Sequence, residues 1–433
     1  MHYLKMINKI QFLQLFRLYM IYGMLITIVF SLLNLNSYCT LLFTFAWLLE
    51  GKFKSKWTIL KRDKLFIAFA LYFLIQFAGI AQSENLYSGW LGVEDKLGFL
   101  MLPMVFCSSP FLNITMRRKA MLVLSSAITL ASIYCLVFAG IRYFDTGNTI
   151  YFFYHPLVSP LSHHAVYFSV YTFIVLVFLI SEGHSLPWLA KNRFVHVGWL
   201  IFLLFFLFLL SSKMVLLMVV LFLFYLFFRF GSKKISRWQA TAGGFFTILL
   251  IITIVSTNNP VERRFIDLKG NIELLKKEKY DAGVYFNGWQ FRLLLWRMTY
   301  EIIRDKHAWL IGVGSPGAQA VLEEKYLNLG VYAGGRNADD YGYLKYNCHN
   351  QFLQTTLQSG IIGLLFLLSW CCMLFKKTLS RKEPVLSWSL IIIICFFFIE
   401  SVCERQYGVV LCTLIPLMYV YTSENLEKSP SHL

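Results

Sequence analysis

Long apolar runs are the feature that most constrains how this chain of 433 residues can fold. A helix that crosses a bilayer needs about 20 apolar residues, and the sequence holds about twelve runs of roughly that length. Charged residues make up only 15% of the chain, against about 25% in an average soluble domain, which excludes a cytosolic globular protein, a disordered chain and a simple secreted domain. The pattern predicts an all-α polytopic membrane protein with helices at 18–35, 36–50, 65–82, 90–107, 120–140, 163–181, 195–210, 214–230, 240–257, 350–375, 386–403 and 405–422.

The stretch 195–230 is apolar throughout except for Ser211, Ser212 and Lys213. One helix of that length would greatly overshoot the hydrocarbon core of a bilayer. The sequence therefore predicts two helices that meet in a tight turn at these three residues.

Lys and Arg are concentrated in alternate connections between the apolar runs. They are Lys52, Lys54, Lys56, Lys61, Arg62, Lys64, Arg117, Arg118, Lys119, Lys191, Arg193, Arg229, Lys233, Lys234, Arg237, Lys376, Lys377, Arg381 and Lys382. Because cytoplasmic loops carry such an excess, the pattern places both termini in the cytoplasm and residues 258–349 outside. The first run lacks a small-residue cleavage site, and we expect it to remain as an anchor.

The net charge of +17 belongs mostly to this topology signal. Residues 258–348 hold 13 Lys and Arg against 11 Asp and Glu, so nearly all of the excess lies in the membrane part. Nucleic-acid binding loses its main support, because no recognition motif interleaves aromatic residues with these charges. The predicted organisation is nine transmembrane helices in 1–257, a large, partly helical periplasmic loop at 258–349, three more helices in 350–422 and a cytoplasmic tail at 423–433.

The large loop contains one segment with a clear helical pattern. Apolar residues recur at helix spacing within 287–306, and Arg292, Trp296 and Thr299 lie on a neighbouring face. The segment 312–317 then breaks the helix and spells G-x-G-x-x-G. A dinucleotide fingerprint follows a strand and opens a helix, whereas this run follows a helix and contains Pro316. We therefore expect a turn that lets the chain pack closely against the membrane domain, followed by a mobile polar stretch through Asp340.

The nine cysteines are scattered and mostly fall inside the apolar runs. They show no metal-ligand spacing, and their odd number gives no complete disulfide framework. Cys348 directly precedes His349, but no arrangement that would activate a thiol is visible. We expect Cys348 to play no chemical part.

Polar and ionisable residues at membrane depth are costly and are candidates for function. The sequence predicts that such residues collect at the outer membrane face, together with Arg292. They are His163, His164, Lys213, His349, Asn350, Glu400, Glu404 and Arg405. Each also has a structural interpretation, because a cation at a helix end often extends to the headgroups and Glu400 can form an ion pair with Arg405.

These residue types suit a lipid-linked diphosphate as substrate. Arginine binds phosphate oxygens through a planar fork, and a nearby positive charge stabilises a departing diphosphate. A neutral histidine can take a proton from an attacking sugar hydroxyl. A membrane-anchored substrate also explains why the site would lie at headgroup level.

The sequence resembles the O-antigen ligase and O-antigen polymerase superfamily, in architecture over most of the chain and in motif over residues 205–375. The resemblance is carried by an arginine, a Gly-x-Gly segment and a His-Asn pair in this order around one large loop. The segments are Gln290-Phe291-Arg292 through Trp296, 308–314, 348–354 and 360–363, and the tail 400–408 looks like that of members from Bacteroidetes-type bacteria.

The resemblance implies a metal-independent, inverting glycosyltransferase without a cofactor. It would move a glycan from undecaprenyl diphosphate to a sugar hydroxyl of lipid A–core, at the periplasmic face of the bacterial inner membrane. Arg292 would bind the diphosphate and His349 would activate the acceptor. Lys213 stands where family members usually carry arginine, so the charge is kept but the bidentate phosphate geometry is not. Asn350, His163, His164, Glu404 and Arg405 complete the predicted binding set.

Several functions remain open at this stage. The same donor chemistry serves an O-antigen or exopolysaccharide polymerase and a protein O-oligosaccharyltransferase, which differ only in the acceptor. A membrane transporter or flippase is an alternative of another class, since the predicted helices suffice for one. Transporters often show internal repeats, and we find none in this sequence.

Overall fold

We describe the fold from a computed structural model of the chain. The structure describes residues 2–82, 90, 92–234, 272–281, 283–315, 317–335 and 341–423. The predicted span at 240–257, the first part of the predicted loop at 258–271 and nearly all of the predicted tail lie outside the described residues.

The described residues form helices joined by turns, and within them the only β-type pairing is an isolated bridge between Asn113 and Ser423. The all-α prediction is therefore confirmed. The main helices are α1 (His2–Val29), α2 (Leu33–Leu49), α3 (Phe53–Leu60), α4 (Lys64–Ala78), α5 (Gly98–Ser108), α6 (Ile114–Thr146), α7 (Ala165–Glu182), α8 (Arg193–Leu210), α9 (Lys213–Lys234), α10 (Gly288–Asp305), α11 (Gly317–Leu329), α12 (Gln351–Arg381), α13 (Pro384–Phe397) and α14 (Gln406–Val420).

Six segments of the described chain are long and apolar enough to cross a membrane. They are Lys9–Val29, Lys64–Ala81, Ile114–Thr146, Ala165–Ser185, Arg193–Leu210 and Gln351–Arg381. The helices α2, α13 and α14 are also apolar but shorter. The count of twelve spans and the periplasmic position of the large loop stay predictions.

Some helix boundaries differ from the predicted spans. Helix α1 ends at Val29 rather than near residue 35, because Ser31 adopts a left-handed backbone with φ of 58°. Helix α13 ends at Phe397 instead of residue 403, and α7 begins at Ala165, after the two histidines that were expected to open it. The residues near 163 and 400 thus lie in the connections and not within helices.

The predicted helical hairpin at 211–213 is present. Helix α8 ends at Leu210, and α9 begins at Lys213. Ser211 turns the chain with φ of 49°, and its hydroxyl donates to the Leu209 carbonyl at 3.0 Å. A serine hydroxyl that satisfies a terminal helix carbonyl is well suited to such a turn.

Hydrogen bonds identify the two ends of the helix bundle. At one end, which we call the site end, Tyr167 near the start of α7 donates to the Val402 carbonyl at 3.5 Å, and Gln406 at the start of α14 donates to the Leu33 carbonyl at 3.2 Å. At the other, which we call the basic end, Glu182 accepts from Arg117 at 2.9 Å. Arg117 belongs to a connection that the charge pattern assigns to the cytoplasm.

The described part of the large loop has a core of its own. Asn287 and Gln290 form a capping box at the start of α10, and Leu294 and Met298 on the same helix are buried. Helix α11 packs against α10 and occupies part of the stretch that was predicted to be mobile, so that prediction is wrong for residues 317–329. Its buried residues Leu322, Tyr326 and Leu329 belong to this core. The many polar residues on its exposed face explain why the sequence pattern did not indicate a helix.

The glycine run docks directly onto a break in α12. Gly360 has φ of 61° and ψ of −163°, a conformation that is essentially restricted to glycine. The Val313 and Gly314 amides donate to the carbonyls of residues 357 and 358 at 2.8 and 3.0 Å, and the Ile361 amide donates to the Trp309 carbonyl at 2.7 Å. A Cβ on Gly312 or on Gly360 would lie within 2.4 Å of the opposing backbone. The expected close packing is therefore confirmed, and predicted span 350–375 is two helices.

Replacing Gly360 with alanine should disrupt this docking. The backbone conformation alone costs roughly 1–3 kcal/mol for a residue with a side chain, and the added Cβ would collide with Leu310. We expect a clearly lower unfolding temperature of the purified protein in detergent. Gly140→Ala within α6 is the matched control, because a Cβ there meets no atom within 4 Å and alanine favours a helix. Equal stability of the two variants would contradict the docking.

Candidate active site

His349 stands at the start of α12, in the last position before its N-cap. Its backbone is left-handed, with φ of 44°, a conformation that is uncommon for residues other than glycine and that is found disproportionately at functional sites. The imidazole Nδ1 lies 3.1 Å from Oε2 of Glu400, and the Tyr346 ring lies 5.4 Å away from it, centre to centre. Because the His349 side chain is 14% exposed, it is held in place yet remains accessible.

Glu400 is buried and ionised beside this histidine. Burial works to raise the pKa of Glu400. The charge that His349 carries when protonated, the hydrogen bond from its ring, the charge that His164 carries when protonated and the charge of Arg405 outweigh burial and hold this pKa at about 2. An ionised carboxylate only accepts hydrogen bonds. The contact therefore places a proton on Nδ1 of His349, which leaves Nε2 as the ring nitrogen that can accept one. Glu400 therefore pairs with His349 and not with Arg405, which the sequence had offered as an ion-pair partner.

The connection between α13 and α14 is fixed around Glu400 by contacts with α12. Gln351 accepts a hydrogen bond from the Cys403 amide through its side-chain oxygen. Asn350 caps α12 by accepting from the Leu353 amide at 3.1 Å, and its side-chain nitrogen lies 3.5 Å from the Phe398 carbonyl. The structure thus gives Asn350 a role in holding the helix start, and its contact with substrate stays a prediction.

Arg292 reaches the same connection from α10. Its Nε donates to the Ile399 carbonyl at 3.0 Å, and its Nη1 donates to the Gly288 carbonyl at 2.8 Å. Its side chain is half-buried, and among the described residues Nη2 has no hydrogen-bond partner. Arg292 and His349 therefore converge on neighbouring residues, Ile399 and Glu400, although they come from different helices.

His163 and His164 lie just before α7 on the other side of Glu400. Burial lowers the pKa of His164 to about 3, despite the charge of Glu400, and lowers the pKa of His163 to about 4. Both rings are therefore neutral at physiological pH. Within the described residues, Nδ1 of His164 is buried without a hydrogen-bond partner, whereas the His163 ring contacts the backbone at His164 and Ile28. The unpartnered nitrogen of His164 calls for an explanation, and a polar ligand group is one.

Arg405 and Lys213 also lie at the site end. Arg405 is exposed directly before α14, and its charge acts on Glu400 and His164. Lys213 is the half-buried first residue of α9, which packs against α7 and α13. No contact between Lys213 and His349 is observed, so the part of Lys213 in the site stays a prediction.

Glu404 belongs to a buried network that the sequence reading missed. Lys96, only 1% exposed, directs Nζ to Glu404 Oε2 at 2.9 Å. The same nitrogen lies 3.1–3.2 Å from side-chain oxygens of Gln76, Ser315 and Gln358, and Gln358 donates to Glu404 at 2.8 Å. The network ties the glycine run to α12 and to the connection that carries Glu400. The only sequence signal for this network was the position of Lys96 near the start of an apolar run.

Removing one charge of the Lys96–Glu404 pair should lower the stability of the protein more than replacing both charges. Glu404→Gln leaves the Lys96 charge buried, and loss of one partner of a buried pair costs about 3–5 kcal/mol. The double variant Lys96→Met with Glu404→Gln should recover much of that loss. Thermal unfolding of the wild type, both single variants and the double variant measures the coupling. Additive losses would show that the two residues act independently.

Cys348 is buried beneath the site as a structural residue. It accepts a hydrogen bond from the Thr299 hydroxyl at 3.2 Å, and burial raises the pKa of its thiol to about 12. The raised pKa favours the unreactive thiol, because the reactive form of cysteine is the thiolate.

Iodoacetamide should therefore spare Cys348 in the folded protein at pH 8. With a pKa near 12, only about one thiol in ten thousand is ionised there, and alkylation requires the thiolate. Mass spectrometry after a timed reaction compares the labelling of Cys348 in the native protein with that in the denaturant-unfolded protein. Labelling of Cys348 should appear only after unfolding. Comparable labelling rates in the two states would disprove the assignment.

The described residues contain no group of three or more His, Cys, Asp or Glu side chains that could hold a metal ion. The predicted metal independence of the reaction is left to experiment.

Comparison with known proteins identifies the family. No curated protein matches the chain significantly. Residues 198–368 match the model of the family described as O-antigen ligase, and this range contains α10, Arg292, the glycine run and His349. Residues 198–368 therefore carry the domain of the O-antigen ligase superfamily, as the motifs implied.

Proposed function

We propose that the protein is an O-antigen ligase-like glycosyltransferase that moves a glycan from undecaprenyl diphosphate to a sugar hydroxyl of lipid A–core. The observation that carries this proposal is the contact of His349 with Glu400 beside Arg292, in a chain whose family acts as a ligase. The histidine and its carboxylate offer a base, and the arginine offers a phosphate contact. Among the described residues, no other histidine forms an ion pair with a carboxylate.

His349 would act as the general base through Nε2. Because Nδ1 faces the Glu400 carboxylate, Nε2 is the nitrogen that can take a proton. A carboxylate in this position fixes the tautomer and stabilises the imidazolium that forms, as in the Ser-His-Asp arrangement. The burial of Glu400 and its contacts with α12 keep this orientation between turnovers.

The transfer itself breaks one bond and forms one. The acceptor hydroxyl loses its proton to His349 Nε2 as its oxygen attacks the anomeric carbon of the donor sugar. The bond between that carbon and the diphosphate oxygen breaks, and the electron pair leaves with undecaprenyl diphosphate. Attack opposite the leaving group inverts the configuration. Arg292 would bind the developing negative charge, which is the usual role of a cation at a departing phosphate.

The remaining candidates would bind the glycan and the diphosphate around this centre. His164 offers a neutral, buried nitrogen that has no hydrogen-bond partner among the described residues, and His163 lies next to it. Such a nitrogen suits a sugar hydroxyl. Arg405, Lys213 and Asn350 would supply further charge and hydrogen bonds at headgroup level. We propose that the site end faces the periplasm from the bacterial inner membrane, with both termini in the cytoplasm, because the Lys and Arg residues lie toward the opposite end.

Transfer by the purified protein is the decisive test of this proposal. His349→Asn removes the base but tolerates the left-handed backbone, and it should lower turnover about 10²–10⁴-fold. Arg292→Ala should cost roughly 10²–10³-fold, and activity should survive EDTA. His307→Asn and Arg304→Ala are matched controls, because both residues are exposed and His307 also has a positive φ of 51°. Wild-type turnover by His349→Asn would refute the site, and strict metal dependence would refute the mechanism.

Glu400→Gln tests the positioning role separately. The amide keeps the shape of the carboxylate but removes the charge and permits the wrong tautomer of His349. Turnover should fall by at least about tenfold, though by less than with His349→Asn, and the KM for the donor should stay near its wild-type value. A rise in the donor KM without loss of turnover would instead make Glu400 a binding residue.

The acceptor is identified by parallel reactions with lipid A–core, a lipid-linked glycan and a protein acceptor. Transfer only to lipid A–core supports a ligase. Preference for a lipid-linked glycan would make the protein a polymerase, and preference for a protein would make it an O-oligosaccharyltransferase. Movement of the lipid-linked glycan across a vesicle membrane without any transfer would replace the proposal with a flippase.

A further inference from the structure

An apolar groove runs along the bundle away from His349. Its volume is about 480 Å³, and it lies between α3, α4, α5 and the end of α2. Phe53, Trp57 and Phe66 line its lower part, and Leu74 and Leu100 line its upper part. Phe66 and Leu74 are two turns apart on α4, so the groove extends about 12 Å along the helix axis. That direction is parallel to the lipid chains of a bilayer.

The lower part of the groove lies at the basic end. Asp63, which directly precedes α4, accepts a hydrogen bond from the Tyr421 hydroxyl at 2.6 Å. Tyr421 directly follows α14, whose other end begins beside the site-end residue Arg405. The lower part of the groove therefore lies at the end of the bundle opposite His349, where a donor lipid bound for transfer would not reach it.

The rim of the groove is exclusively cationic on its exposed surface. Five basic side chains within thirteen residues of sequence are exposed, namely Lys52, Lys54, Lys61, Arg62 and Lys64. The one acidic residue of this segment, Asp63, and the nearby Glu50 are both engaged in other contacts. Glu50 binds the buried Lys56 at 2.9 Å, and Asp63 caps α4 and binds Tyr421.

Aromatic residues on α3 indicate that the rim lies at a membrane interface. Trp57 is 56% exposed and Phe53 is exposed to a similar degree. The Lys61 ammonium lies 5.2 Å from the centre of the Trp57 ring. Exposed aromatic rings beside lysines are typical of the headgroup level, and basic pockets between helices at that level bind anionic headgroups.

We propose that this groove binds one acyl chain of an anionic phospholipid, with the headgroup phosphate held by the lysines of the rim. The apolar lining and the orientation of the groove suit the chain, and the unbalanced positive charge selects the headgroup. A zwitterionic lipid would gain the apolar contact but not the charge. The binding is separate from glycan transfer, so neither proposal depends on the other.

Lipid binding to the full-length protein tests this inference. Native mass spectrometry and thermal unfolding in a neutral detergent would be followed as phosphatidylglycerol or phosphatidylcholine is added. We expect bound phosphatidylglycerol and a raised unfolding temperature, with little effect of phosphatidylcholine. Replacing Lys52, Lys54, Lys61 and Lys64 with glutamine should weaken phosphatidylglycerol binding by about fivefold per lysine. Glutamine at the exposed Lys119, Lys191, Lys376 and Lys382 is the matched control for charge and should change binding little.

A second variant tests the groove without altering the rim. Ala70→Trp places a large ring among the lining residues and should abolish phosphatidylglycerol binding, whereas Val137→Trp on the exposed face of α6 should not. Equal binding of both lipids, or equal loss in the rim variant and its charge control, would overturn the proposal. Displacement of phosphatidylglycerol by undecaprenyl phosphate would assign the groove to the polyprenyl lipid instead.

Discussion

Pairing of backbone groups across the break in α12 is the interaction on which the site depends. A break at Gly360 frees amides and carbonyls that cannot remain unsatisfied at membrane depth. The segment 309–314 supplies hydrogen-bond partners for these groups, so the large loop satisfies the backbone of the broken membrane helix. The short helical piece that begins after His349 is thereby fixed to the loop that carries Arg292. The candidate base and the candidate phosphate ligand share one rigid support.

Buried charges at the site end are balanced by partners from distant parts of the sequence. Glu400 faces His349, and Lys96 faces Glu404. Each pair joins the connection after α13 to another element, and burial strengthens both the attraction and the penalty for losing a partner. The arrangement explains how an accessible histidine can sit in a strained backbone conformation and still keep one orientation.

The sequence supported the helical class, the hairpin at Ser211 and the face of α10, because apolar periodicity and helix-breaking residues are local signals. The convergence of His349, Arg292 and Glu400 on one region was also expected. The partner of Glu400 was not predictable, since an adjacent arginine offered an equally good pair. Lys96 escaped notice because its partners are up to 308 positions away in sequence, and no local pattern marks such contacts. The helix α11 escaped because its few apolar residues are dispersed among polar ones.

The hydrogen bond between His349 and Glu400 crosses the boundary of the recognised family domain. The family match ends at residue 368, whereas the carboxylate that orients the histidine lies 32 residues later. The proposed site therefore extends beyond the matched segment. A chimera joined at that boundary would combine the candidate base of one relative with the orienting segment of another. Residues 398–405 should be exchanged together with the loop when specificities are transplanted between members of the superfamily.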